Sequence, residues 1–401
     1  MNNKIIEISF KNNEDISTKL ITKYLNEKKI IYLKNQFMLK EEFLQKINYS
    51  GPAIILNSSG SKNKPKKCIH STKNLDMAAE NLGVWLKNQA FILENCFIFN
   101  TLPLYHISGF MSFWRSKNWN CEYLNIPKEL FKNPKDLFMK TNDLYNPKKY
   151  HFITSMVPTQ LYKLSEDSYG MQWLKLFDLI WIGGAAITKD LVNKCIDENI
   201  NLSPCYGTTE TAAMITALKP SEFLRGNFSS GSILNDINIR INKAGIIEVK
   251  TDRIGLEVNK DSEICDFKNQ DGWWESGDFG NIYEKDRNQY LEVLGRTDNS
   301  LNSGGEIIFT ELIKRKIYDF AKKIELTLEL IEINAVKDFT WGDRFEVMIY
   351  FKNNINKKHI KIKLENLAKT WPHHERPIKW ILINASRLKS QNKIDNWKNI
   401  I

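Results

Sequence analysis

The sequence predicts an α/β fold: a large N-terminal domain of stacked α/β sheets with a β subdomain over residues 1–297, and a small mobile α+β domain over 298–401. Three observations carry this expectation. Short apolar runs alternate with amphipathic stretches through the first half of the chain, the texture turns strand-rich from about Gly231, and Asn299-Ser300-Leu301-Asn302-Ser303-Gly304-Gly305 interrupts it before a final mixed segment.

The runs 53–56, 96–100, 150–155 and 179–182 are brief, apolar and closed by Ser, Thr, Pro or Gly, as buried parallel strands are. Between them, 71–87, 158–163 and 188–198 carry helical periodicity. The segments 238–241, 246–250, 280–283 and 290–294 read as strands of the β subdomain, and 310–323 as a helix after a hinge. With 401 residues, 42% hydrophobic and 11% aromatic, the chain can bury a large core divided into domains.

Net charge is +10, yet Lys and Asn are dispersed along the chain, which fits anionic small molecules better than nucleic acid. The six cysteines form no close pairs of the kind that bind zinc or cycle as redox couples, so a reducing cytoplasm is expected. The start Met1-Asn2-Asn3-Lys4-Ile5-Ile6-Glu7 has no secretory apolar core, and no apolar run reaches bilayer-spanning length, so a soluble chain with no membrane insertion is expected.

Four clusters carry chemistry. Asn57-Ser58-Ser59-Gly60-Ser61-Lys62-Asn63-Lys64-Pro65-Lys66-Lys67 offers hydroxyl donors, one glycine for close backbone approach and lysine charge. It reads either as a polyphosphate loop or as a solvated loop, and it lacks the Gly-Lys-Ser/Thr ending of hydrolase P-loops. Tyr206-Gly207-Thr208-Thr209-Glu210-Thr211 sets a ring for base stacking beside a hydroxyl and a carboxylate suited to magnesium and phosphate; alternatively Thr208 caps a helix that Thr211 begins. Upstream, Trp181-Ile182-Gly183-Gly184 puts bare backbone after a strand. Asp278 ends the predicted turn Trp274-Glu275-Ser276-Gly277-Asp278 with two oxygens able to accept ribose hydroxyls, and Gly295-Arg296-Thr297-Asp298 adds an arginine at the hinge.

In this order, with Pro103-Leu104-Tyr105-His106-Ile107-Ser108-Gly109 ahead of the glycines and Asn392-Lys393-Ile394 near the chain end, the motifs resemble the adenylate-forming superfamily of acyl-CoA synthetases, luciferases and adenylation domains. The resemblance covers residue 53 to the C-terminus. It implies an ATP- and Mg2+-dependent acid-thiol ligase: a carboxylate attacks the α-phosphate to give an acyl-adenylate, coenzyme A displaces AMP, and the C-terminal domain acts as a lid that rotates between the steps. On these positions, Ser58, Ser59, Gly60, Ser61 and Lys66 would hold the β- and γ-phosphates, Gly184, Tyr206, Gly207 and Thr208 the nucleotide, and Thr209 and Glu210 phosphate and magnesium. Asp278 and Arg296 would fix the ribose, and Lys393 would bridge the acyl carboxylate and the α-phosphate. His106, Trp114, Arg115 and Gly183 would line the acyl pocket.

Arg115 among aromatic neighbours suits an aromatic acid with a second carboxylate. Together with Ser155-Met156-Val157-Pro158-Thr159-Gln160-Leu161 it is similar to the o-succinylbenzoate:CoA ligases of menaquinone and phylloquinone synthesis. Loading of a carrier protein, activation of another aryl or acyl acid, and non-catalytic nucleotide binding are the alternative readings. The chain departs from the superfamily pattern at Asn63 and Asn392, where glycines are common, and in its short segment before the loop. Oligomeric state is left open, a homodimer included. His373 and His374 read as exposed turn residues rather than metal ligands.

Overall fold

The computed structural model describes residues 3–10, 14–35, 46–58, 66–259, 261–303, 306–339, 342–351 and 356–384. The chain divides into two compact units, one comprising Met1–Ser276 with Gly280–Val293, the other Gly277–Phe279 with Leu294–Ile401.

Among the described residues the larger unit is built on two sheets. The first has seven strands in the order Ile264–Asp266, Leu256–Val258, Lys67–Ser71, Ala53–Asn57, Ile30–Asn35, Asn3–Phe10, Lys46–Ile47. Asn3–Phe10, Ile30–Asn35 and Ala53–Asn57 run parallel, whereas Ala53–Asn57 and Lys67–Ser71 form an antiparallel hairpin. The hairpin connection is the Ser/Lys loop. The second sheet has eleven strands: Asn238–Ile241, Ile246–Lys250, Trp274–Lys285, Asn288–Arg296, Ser232–Ile233, Ala213–Ala217, Leu202–Thr208, Leu179–Ile182, His151–Met156, Cys96–Asn100, Glu122–Asn125.

Successive side chains of a strand point to opposite faces, so each run feeds two cores. Ile54 and Leu56 pack with one core, Ala53 and Ile55 with another; Phe152 and Ile180 face one side of the larger sheet, Ile153, Leu179 and Trp181 the other. The helix Thr72–Lys87 bridges the sheets, with Leu75, Ala78 and Ala79 in the smaller sheet's core and Leu82, Trp85 and Leu86 in the larger one's. Ser71 caps it by accepting a hydrogen bond from the Asn74 amide, 3.1 Å away. Helix Ile107–Trp119 lies beside it, and Trp119 Nε1 donates to the Ala79 carbonyl at 3.0 Å.

The strand-rich region after Gly231 is shared between the two sheets. Leu256–Val258 pairs with Lys67–Ser71 beside the loop and with Ile264–Asp266 at the edge of the same sheet, and the other strands of this region extend the larger sheet. Trp274–Asp278 is not the predicted turn: it opens the continuous strand Trp274–Lys285.

In the smaller unit, Gly342–Phe351 pairs with Leu328–Asp338, Ser300–Ser303 and Lys379–Asn384. Phe345, Val347, Ile349 and Phe351 share one core with Ile313 and Ile317 of helix Thr310–Lys323 and Leu364 and Ala368 of helix Lys357–Lys369. The expected flexible stretch after Asn299 is instead partly strand: Ser300–Ser303 pairs antiparallel with Glu306–Phe309. The alternation of Leu301 with small polar residues matches Ile308 opposite it, and that pairing overrides the linker-like composition. Among the described residues no helix is long and apolar enough to cross a membrane.

Candidate active site

Cys96–Asn100, His151–Met156, Leu179–Ile182 and the start of Leu202–Thr208 are parallel, so their carboxyl ends share one edge of the larger sheet. Ligands of open α/β sheets bind at that edge. The residues just beyond it are Thr101 to His106, Val157, Gly183-Gly184 and Tyr206 to Glu210, four of the segments singled out by sequence.

The approach to His106 is ordered by Asn100, whose buried amide bonds both the N–H and C=O of Leu102 (3.2 and 2.8 Å) and Asn125 (3.0 Å). His106 then starts the helix Ile107–Trp119, its ring exposed and 4.7 Å from that of Tyr105. Partial desolvation by the surrounding protein lowers its pKa. Gln160, from the Val-Pro-Thr-Gln-Leu run, accepts from the Val157 amide at 3.1 Å and donates to the Thr101 carbonyl at 3.0 Å, tying two strand ends together.

Arg115 lies on the same helix and is 2% exposed. Its guanidinium stacks 5.2 Å from the Trp181 ring, two residues before Gly183. Among the described residues it has no ion-pair or hydrogen-bond partner, and its Nε is buried and unsatisfied. Burial pushes its pKa down to about 9, with Cys205 opposing and Arg253 reinforcing the fall, so it stays charged at neutral pH. Arg253, also buried, has its own acid: its Nε is 3.3 Å from Asp236, and it donates to the Met214 carbonyl at 2.6 Å. A buried cation without an anion costs several kcal/mol, on the order of 3–5. The arrangement fits an incoming carboxylate.

Trp114 does not join Arg115. It is buried, stacks on Phe110 in the core and donates from Nε1 to the half-buried Asp76 at 2.9 Å, because successive helical residues point about 100° apart.

Gly184 has a positive φ of 82°. Tyr206 is half-buried with its amide donating to Thr216 Oγ1, and the strand bulges between Tyr206 and Gly207. A Cβ on Gly207 would sit 2.0 Å from the Ala213 carbonyl oxygen, so only glycine fits. After Thr208 the chain makes a tight turn through Ala212 and Ala213 at φ 52° and 76°, not the helix that Thr208 could have capped. Thr211 Oγ1 accepts from the Thr208 amide (3.0 Å) and donates to the Ala213 carbonyl (2.8 Å), closing the turn. Glu210 is half-buried, and its carboxylate is a hard oxygen donor of the type magnesium takes.

Ser58 and Lys66 close the mouth of the loop: the Ser58 amide donates to the Lys66 carbonyl at 2.8 Å and the Lys66 amide to Ser58 Oγ at 3.1 Å. The Lys66 ammonium is 3.2 Å from Glu257. Ser59, Gly60, Ser61 and Asn63 lie outside the described residues, as does Lys393. In the smaller unit Asp278 is buried and 3.4 Å from Arg296, which also donates to Asp298 at 3.1 Å. Among the described residues no cluster of three or more His, Cys, Asp or Glu is arranged to hold a metal. Sequence reasoning missed Asn100, Gln160's tie to Thr101, Arg253 with Asp236, and His70. Gln160 stands in the Val-Pro-Thr-Gln-Leu run, but its partner Thr101 is 59 residues away; Asn100, Arg253 and His70 stand in no motif.

Residues 5–249 match the AMP-binding enzyme family, and the chain belongs to it. Among curated relatives, the 2-succinylbenzoate–CoA ligase of Listeria monocytogenes is 28% identical over 307 residues, 75% of this chain and 60% of that protein. The protein of the same name from Haemophilus influenzae is 26% identical over 363 residues, 88% of this chain and 73% of that one. The chain spans about 60% of the length of the first of these relatives. Among solved structures, the o-succinylbenzoate coenzyme A synthetase of Bacillus subtilis in complex with AMP has a TM-score of 0.71 at 17% identity, covering 95% of this chain and 84% of that one. The same enzyme with ATP and magnesium ion gives 0.70 at 16% identity, covering 95% and 86%. The fold is that of these synthetases.

Proposed function

We propose that this chain is an AMP-forming acid-thiol ligase that activates 2-succinylbenzoate as its acyl-adenylate and passes the acyl group to coenzyme A. The observation that carries the substrate is Arg115: buried, charged, stacked on Trp181 and with no acid partner among the described residues, it lies close to Cys205, which directly precedes the Tyr206–Glu210 segment. An aromatic acid with a second carboxylate supplies what the guanidinium lacks and places a ring beside an indole. The names of the relatives support the same substrate.

In this reading Ser58, Ser59, Gly60, Ser61 and Lys66 take the β- and γ-phosphates, Tyr206 stacks on adenine beside Gly184, Gly207 and Thr208, and Thr209 and Glu210 take phosphate and magnesium. Asp278 and Arg296 hold the ribose, and His106 and Gly183 border the acyl group. Lys393, carried on the segment 298–401 as a lid, neutralises charge between carboxylate and α-phosphate as adenylate forms. Lys66 then exchanges Glu257 for phosphate. The protein acts on small molecules in the cytoplasm, without nucleic acid.

The test is pyrophosphate release from MgATP with 2-succinylbenzoate, benzoate and aliphatic acids, with and without coenzyme A. Release that requires both carboxylates, and a thioester on adding coenzyme A, is expected. Equal release with benzoate refutes the substrate, and adenylate that never reaches coenzyme A refutes the acceptor.

A further inference from the structure

We infer that His70 is a positioning residue, which ties the Thr209–Glu210 turn to the hairpin carrying the phosphate loop so that both are in place before nucleotide binds. The inference rests on the role proposed above for Glu210. His70 sits on Lys67–Ser71, the strand leaving the loop, opposite Ile54 of Ala53–Asn57. Its side chain is fully buried, and Nε2 lies 2.7 Å from the Thr209 carbonyl oxygen. A carbonyl can only accept, so Nε2 carries the proton, and the ring is the neutral tautomer with Nδ1 bare; Nδ1 has no partner among the described residues. The Cys68 thiol is 3.3 Å from the same nitrogen and flanks the ring.

The next carbonyl, that of Glu210, accepts from the Gly255 amide at 2.9 Å. Gly255 in turn packs against the imidazole: a Cβ there would lie 2.7 Å from both His70 Cε1 and Cys68 Sγ. Two adjacent peptide carbonyls of the turn are therefore gripped from one side, one by the loop strand and one by the residue before strand Leu256–Val258, whose Glu257 pairs with Lys66. The turn needs this grip. Ala212 and Ala213 both have positive φ, a conformation that L-residues hold only where their surroundings impose it. Without His70, the buried Thr209 carbonyl keeps only the long, weak contact from the Cys68 thiol at 3.8 Å among the described residues, and the turn rotates to reach water, taking the Glu210 carboxylate with it.

Two amide substitutions separate this role from mere packing. In His70→Gln the side-chain NH2 reaches the position of Nε2; in His70→Asn it reaches only that of Nδ1. MgATP binding by calorimetry, pyrophosphate release with 2-succinylbenzoate and thermal unfolding are measured on the full chain and both variants. His70→Gln is expected within about threefold of the parent. His70→Asn should weaken MgATP binding and raise its KM by at least about tenfold, with the KM for the acid within about twofold, as expected for losing one buried hydrogen bond. Equal MgATP affinity in the two variants, or a parallel rise in both KM values, overturns the inference. If the parent binds MgATP but releases no pyrophosphate with any acid, the proposed function fails while calorimetry still decides His70. Should either variant fail to fold, 15N NMR of histidine-labelled parent protein decides: protonated Nδ1 on His70 in place of protonated Nε2 refutes the geometry.

Discussion

Replacing Arg115 with methionine should stabilise the protein and at the same time destroy its preference for a second carboxylate. The residue is 2% exposed and its pKa falls from 12.5 to about 9 through burial, which corresponds to about 5 kcal/mol of unfavourable cation burial. Stacking on Trp181 at 5.2 Å returns about 2 kcal/mol, leaving a net cost of about 3 kcal/mol in the free protein. Methionine fills similar volume without charge, so Arg115→Met should raise Tm by about 5 °C. The lost charge-assisted bond to substrate is worth about 2–3 kcal/mol, so the KM for 2-succinylbenzoate should rise roughly 100-fold while that for benzoate stays within about threefold. Differential scanning fluorimetry and pyrophosphate-release kinetics read the two effects. A destabilised variant whose two KM values rise together would show that Arg115 is a structural strut and that the carboxylate assignment is wrong.

Lys393→Ala should slow adenylate formation by about 100-fold or more, equivalent to losing roughly 3 kcal/mol in the transition state, yet leave thioester formation from supplied adenylate within about fivefold; equal losses in stopped-flow half-reactions would remove its role. Gly207→Ala, whose Cβ meets the Ala213 carbonyl at 2.0 Å, should cost about 3 kcal/mol in urea unfolding. Glu210→Gln should raise the magnesium concentration needed for half-maximal pyrophosphate release by about tenfold, with little change in Tm. His70 gives the apo protein an acid sensitivity. Burial lowers its pKa from 6.5 to about 4, the bond to Thr209 opposing and Arg253 reinforcing the shift. The unfolded chain therefore takes up the proton first. This contribution is complete above pH 6.5 and is lost as pH falls toward 4, about 3 kcal/mol in all, and the loss should be absent in His70→Gln when urea unfolding is followed across that window.

Much of the fold was legible where one segment determines its own structure. The strands Cys96–Asn100 and Leu179–Ile182 fall at short apolar runs, because a strand buried on both faces is apolar throughout, and the helix Thr310–Lys323 falls at the segment expected for it. The reading failed where a distant partner decides. Ser300–Ser303 looks like linker until Ile308 lies opposite Leu301, and Trp274–Asp278 looks like a turn until the larger sheet pairs it. The Tyr206–Glu210 motif is local too: a bulged strand and tight turn require glycine and small residues in consecutive positions.

The sequence by itself determined the family, since its motifs occur as short runs whose order along the chain is informative. Tertiary structure alone decided which partners each side chain meets. Trp114 and Arg115 are neighbours in sequence, but the helix turns the first to the half-buried Asp76 and leaves the second over Trp181, with no acid among the described residues. His70 had no reason to stand out until folding brought the Thr209 carbonyl, 139 residues on, to within 2.7 Å of its ring. Burial sets the difference, because the value of a charge or a hydrogen-bond donor depends on which partners the fold leaves it.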